Sequence, residues 1–237
     1  MRRFLLVISL VLALLLASCA GFKGGDEARL RAELRKWENF TGSGIMEVSA
    51  FGLSLRKPFT FAKSLEQMRL DVIEGGIFGA GAAPLLSVYL GEYFAFKSPA
   101  MPALEAINLA DKVPRSANAL FASEDYIYDH YGAEIIRAKA IVRDSLTIQF
   151  APNYQLKSVQ DRKSGLNLKA AYNSRGDIDT IDITAGNGMR VSLIFDEVSY
   201  AKADIVPLPP QQGSKQSLQE ILQDGGMRQI LKGFLGN

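Results

Sequence analysis

The sequence predicts an α+β fold: an antiparallel sheet of many short strands that curls into a barrel or half-barrel, with helices as a lid over one apolar face. Three observations point to it. Strand-like stretches alternating apolar and polar side chains recur along 41–97 and again along 133–203, punctuated by turn signals. A helical pattern precedes the first of them. The alternation also puts Met46, Val48, Ala50, Phe59, Phe61, Leu70, Val72, Val88, Ile148, Phe150, Leu166, Leu168, Ile181, Ile183, Leu193 and Phe195 on one face, which must be covered or wetted.

The elements follow in order. Asp26 stands where an N-cap belongs, and Leu30, Leu34 and Trp37 follow at helical spacing among charged residues, so one amphipathic helix spans 26–40. Met46, Val48 and Ala50 then alternate with Glu47 and Ser49. Pro58 to Lys63 reads as a strand starting at a proline, and Met68, Leu70 and Val72 alternate with Arg69 and Asp71. Leu85 to Leu90 and Tyr93 to Lys97 form a further pair. Between 99 and 131 the alternation stops, Pro99, Pro102 and Pro114 punctuate, and short helices are expected near 101–110 and 115–122. Strands return at about 133–142, 145–151, 154–162, 166–173, 178–184 and 189–203, a spacing that suggests a meander. Val206-Pro207-Leu208-Pro209-Pro210 breaks regular structure and sets off a tail whose Leu218, Ile221, Leu222, Ile230, Leu231 and Phe234 read as a two-part amphipathic helix over 214–237.

The N-terminus carries a different message. Arg2 and Arg3 precede an apolar run broken only by Ser9, which reads as a secretory signal. The run is too short to span a bilayer, which takes about 20 residues. Leu16-Ala17-Ser18-Cys19 resembles the bacterial lipobox, and Cys19 is the only cysteine. The resemblance implies a signal peptide at 1–18, an acylated (palmitate-bearing) Cys19, and a flexible lipidated tether over 19–25. Each acyl CH₂ buried contributes roughly 0.8 kcal/mol, so several chains hold a protein at a membrane. In lipoproteins of two-membrane bacteria an Asp after the cysteine favours inner-membrane retention. Here that residue is Ala20, which implies the outer membrane, facing the periplasm.

Without residues 1–18, Lys plus Arg falls from 27 to 25 against 25 Asp plus Glu. A neutral domain argues against a nucleic-acid partner. The lone cysteine excludes a disulfide framework. Gly75 to Gly81 lacks the spacing of a nucleotide loop and a following Gly-Lys-Ser/Thr. Its continuation, five small residues from Gly79 to Ala83, favours a flexible apolar finger. Glu124, Asp125, Asp129 and His130 are the only place where a histidine meets several acids. With one histidine in the chain they read as a solvated loop, with Tyr126, Tyr128 and Tyr131 as packing or a cavity rim. Asp177, Asp179 and Asp182 read as the wet side of a hairpin, without the glycine and closing Glu of a calcium loop. No Gly-x-Ser-x-Gly elbow occurs. No enzyme chemistry, metal or cofactor is expected.

A helix, then Gly42-Ser43-Gly44 leading a strand, then a Phe-rich strand, then Arg69-Leu70-Asp71, all before a long meander, resembles the LolA/LolB-like periplasmic lipoprotein and lipid carriers over roughly 28–203. The resemblance implies a strongly curved antiparallel sheet closed by helices over an apolar cavity, within a domain of 26–206. The lipobox places the chain nearer the anchored LolB type, although 104–121 lacks the tryptophans of that type. It further implies a protruding loop at 74–84 with Ile77 and Phe78 at its tip. The function so implied is an outer-membrane lipoprotein that binds lipid or lipoprotein acyl chains for transport or localisation. Expected contacts are Met46, Val48, Phe59, Phe61, Leu70, Val72, Ile77, Phe78, Phe150, Ile183 and Phe195. A filled core and an open cavity fit the apolar face equally. The alternatives are an envelope assembly lipoprotein acting through its C-terminal helix, with a protein partner at 214–237, and a hydrolase built around His130.

Overall fold

The computed structural model describes residues 24–50, 53–74, 84–99, 123–186 and 188–210. The signal segment, Cys19, Ile77, Phe78, the helices expected at 101–122 and the tail at 214–237 lie outside the described residues.

Helix α1 covers 24–38, so Asp26 lies inside its first turns and is not its cap; ends shift by a residue or two in this way when the first turn is exposed. Leu30 and Leu34 are buried on one stripe and Trp37 is half-buried. The chain then enters a strand directly. Strands β1 (Asn39–Ala50), β2 (Leu53–Ser64), β3 (Gln67–Ile73), β4 (Pro84–Leu90) and β5 (Phe94–Lys97) form one antiparallel meander. After α2 (Glu124–Ala138), strands β6 (Ala140–Arg143), β7 (Leu146–Phe150), β8 (Leu156–Asp161), β9 (Leu166–Tyr172), β10 (Ile178–Thr184) and β11 (Arg190–Ser199) form another. β1 and β11 pair antiparallel and fuse the two into one open, curved sheet of order β5-β4-β3-β2-β1-β11-β10-β9-β8-β7-β6.

Three further expectations are corrected. The strand read at 133–142 is the second half of α2 followed by the short β6, and the acidic cluster read as a loop is the first half of that helix. The local chemistry explains this. Ser123 Oγ accepts from the Tyr126 N–H at 3.2 Å, and Glu124 and Asp125 sit in the first turn, where the helix dipole favours negative charge. Lys139 ends the helix in the left-handed region, its N–H bonded to Ile135 O at 2.8 Å. The strand read as starting at Pro58 starts at Leu53. β3 pairs with β2 only from Phe59 onward, so Pro58 lies where one flank of β2 has no ladder for a missing N–H to break.

The registers confirm the face read from alternation. Phe59 lies opposite Val72 and Gly44, Met46 opposite Leu193, Leu193 opposite Ile181, Ile183 opposite Leu168, Leu168 opposite Val159, and Val159 opposite Ile148. This inner face carries the helices. At one end Leu30, Leu34 and Ile135 pack on Ile141, Ile148, Phe150, Leu156 and Val159. Each such side chain contributes about 1.5–3 kcal/mol when fully buried. In the middle, Phe40, Met46, Phe59, Val72, Ile178, Ile181, Leu193 and Phe195 form a second cluster, with Trp37 touching both.

The opposite, outer face is also covered at one end. Leu208 packs with Tyr89 and Ala95, joined by Tyr93 and Ile205. Tyr93 Oη donates to Leu208 O at 2.6 Å, and Arg69 donates to Val206 O at 2.9 Å. Residues 205–208 thus form a strap across β3–β5. The two sides of β4 therefore differ: Leu85, Ser87 and Tyr89 are buried outward, while Leu86, Val88 and Leu90 are half-buried inward.

Candidate apolar binding face

The inner face has three parts, and they differ in how fully they are occupied. Under α1 and α2 it is filled: the space bounded by Trp37, Tyr126, Ile127, Tyr131, Ile148, Phe150 and Leu156 amounts to about 40 Å³. That is close to the volume of one water and far below the roughly 300–1,000 Å³ of a small-molecule site. The helices are clamped here. Glu124 is 6% exposed and accepts from Arg31 Nη1 at 2.6 Å and from Arg35 Nη2 at 3.1 Å. Arg31 also bonds Asp125 at 3.0 Å and lies 3.7 Å over the Tyr128 ring. The Glu124 hydrogen bond, then that of Asp125, push the Arg31 guanidinium still higher than its ordinary value, against the opposing effect of burial.

The middle part is filled by rings. Phe40 lies 4.7 Å from Phe61 and 5.7 Å from Phe195, and Phe59 stands edge-on to Phe195 at 5.2 Å. Gly42 and Gly44 make this packing possible. A Cβ on Gly42 would sit 2.6 Å from the Phe195 ring, and one on Gly44 would collide with the Ile194 carbonyl. The Gly-Ser-Gly motif is thus a close approach of β1 to β11. Lys63 closes this part beside Phe40, its Nζ donating to Leu65 O at 2.7 Å and to Glu38 O at 3.4 Å at the end of α1.

The third part lies on β3–β5, where Leu70 and Leu86 also pack against the central cluster. Leu70, Leu86, Val88, Leu90, Phe94 and Phe96 present their side chains inward and all stay half-buried. It adjoins the chain segment between Glu74 and Pro84, which contains Ile77 and Phe78.

The sequence-predicted contacts divide accordingly. Met46, Phe59, Val72 and Phe195 are core of the central cluster, with Val48, Phe61, Leu70 and Ile183 half-buried against it, and Phe150 belongs to the cluster under the helices. Sequence reasoning missed Phe40, which is fully buried at the centre, and Leu86, Leu90, Phe94 and Phe96. For the strand residues the signal was there: β4 is apolar on both alternations.

The polar clusters resolve into structural roles. His130 stacks on Tyr126 with centroids 4.1 Å apart and lies 2.8 Å from Tyr126 O through Nδ1, within its own helix. Glu124, Asp125 and Asp129 instead face Arg31. Among the described residues no three His, Cys, Asp or Glu side chains gather as metal ligands. Asp182 accepts from Ser192 and from Arg190 at 3.0 Å, which together lower its carboxyl below the usual range, and Asp177 pairs with Arg175.

No family model and no curated protein matches this chain. Among solved structures it is similar to a LolA superfamily protein from Nitrosomonas europaea, with 8% identity over 75% of this chain and 93% of that one and a TM-score of 0.40. It is also similar to a putative outer membrane lipoprotein-sorting protein domain from Vibrio parahaemolyticus, with 11% identity, 71% and 90% coverage and a TM-score of 0.37. MucB is a third, with 11% identity, 76% and 60% coverage and a TM-score of 0.31. The fold class rests on the molecule itself: one open antiparallel sheet whose inner apolar face carries α1 and α2 at one end.

Proposed function

We propose that this chain is a lipid-anchored envelope protein that binds the acyl chains of a lipid or lipoprotein on the inner face of its sheet, in transport or localisation and without chemistry. The observation that carries the reading is the β3–β5 part of that face, where six large apolar side chains stay half-buried beside the segment containing Ile77 and Phe78. Acyl chains suit such a surface because their binding needs apolar area and no directional bonds. Cys19, acylated, would hold the body at the outer membrane through the 19–25 tether. The space under α1 and α2 is small, which supports entry of the acyl chain at the β3–β5 end in this reading.

The test is mass spectrometry of lipids co-purified with the body, residues 22–237, joined to uptake of a fluorescent fatty acid. Acyl species should co-purify, and Val88→Glu with Phe94→Glu should weaken fatty-acid binding about tenfold or more, since a carboxylate placed on the face must stay hydrated. An apo protein that takes up no fatty acid refutes the reading. One observation favours a second role: residues 205–208 pack on the outer face, away from the proposed site. A tail acting there on an assembly partner would leave fatty-acid uptake intact when 214–237 is deleted.

A further inference from the structure

β11 keeps its ladder with β1 from Arg190 to Ser199, but its ladder with β10 stops where Thr180 faces Ile194. Just beyond, β11 bulges at Asp196: Gly44 pairs with Phe195 and Ser43 with Glu197, which leaves Asp196 unmatched. A bulge bends its strand and sharpens the twist. The next donor on β10, the Ile178 N–H, turns to the Tyr200 hydroxyl at 3.2 Å instead of to β11. The β9–β10 turn is held by Lys36 Nζ and Gln155 Nε2, which donate to Gly176 O at 3.1 and 3.3 Å. Between that turn and β11 lies a cleft of about 620 Å³, whose lining includes Phe61, Phe195, Arg175 and Asp177. Its size is that of a ligand site, not of a packing gap.

Two properties select the ligand. Along Phe195–Ser199 one flank of β11 has no strand partner among the described residues, so its backbone N–H and C=O groups can template another extended chain. The charge is also one-sided. Arg175 and Asp177 pair at 3.6 Å, whereas Asp196 and Glu197 are exposed and in no ion pair among the described residues, which leaves the lining with two net negative charges. We propose that this cleft binds an extended peptide bearing basic side chains, added as a strand along Phe195–Ser199 with its lysines or arginines against Asp196 and Glu197. The ladder would supply affinity and the acids the preference for a cationic partner.

The experiment uses the full-length chain in detergent and a fluorescent short peptide of alternating lysine and valine, followed by anisotropy. Saturable binding is expected, weakened about tenfold by Asp196→Lys with Glu197→Lys, a change at two exposed positions that leaves the core untouched. Two further peptides, each N-methylated at every second residue but in opposite phase, test the pairing itself. One phase should abolish binding and the other preserve it, because a strand added at one flank donates from one edge only. Absence of saturable binding, binding unchanged by the charge reversal, equal binding of both methylated peptides, or displacement by spermidine at matched charge would each overturn the proposal.

Discussion

Lys63 is 2% exposed at the edge of the central cluster, opposite Phe40 in the β1–β2 ladder, and its titration should be visible in the stability of the whole domain. Burial outweighs the attraction of the Glu38 carboxylate and lowers its pKa from 10.5 to about 8. Below the folded value both states hold the proton, and the folded state carries the cost of a buried cation. Between about 8 and 10.5 the unfolded chain keeps a proton that the folded chain has released, so stability rises with pH there, and the gain is complete above the unfolded value. At about 1.36 kcal/mol per pKa unit the full gain is roughly 3 kcal/mol, of which about 2 kcal/mol falls between pH ~7.5 and ~9.5. Urea denaturation of the wild type and of Lys63→Met at those two pH values measures it. The wild type should gain about 2 kcal/mol relative to the variant as pH rises. Parallel behaviour of the two proteins, or a relative loss in the wild type, would refute the assignment of a depressed, buried lysine.

Removing the clamp between the helices should cost less than a fully buried ion pair, because Arg31 and Arg35 are 27% and 68% exposed and can rehydrate. Glu124→Ala is expected to lose about 2 kcal/mol and lower the melting temperature by roughly 4–8 °C in a thermal scan, and an unchanged melt would show that packing alone holds α2 on α1. At the strand junction, Gly44→Ala should destabilise by roughly 1–3 kcal/mol through collision with the Ile194 carbonyl, while the neighbouring Ser43→Ala stays within about 0.5 kcal/mol. Chemical denaturation of the pair separates a steric requirement at Gly44 from a general sensitivity of β1.

What the sequence determined by itself is the inner face. Side chains in a strand alternate with a fixed period of two, so Met46, Phe59, Leu70, Ile181 and Leu193 had to share a side once their strands paired in register, and they do. Helix α1 was legible for the same kind of reason, through the spacing of Leu30, Leu34 and Trp37. Helix α2 was harder to read. Its N-terminal signals, Ser123 followed by Glu124 and Asp125, are present, but Ile135, Ile136, Ile141 and Val142 blur helical and strand periods into one apolar stretch. Only the tertiary structure decided the rest, because each remaining feature joins residues far apart in the chain. The β1–β11 ladder fuses two meanders across some 150 residues, the strap sets Leu208 on Tyr89, and the bulge at Asp196 matters only because β10 ends beside it. A local pattern constrains which face a residue takes. It holds no information about which distant strand will lie next to it, since that choice is settled by the total area buried when the sheet closes on its helices.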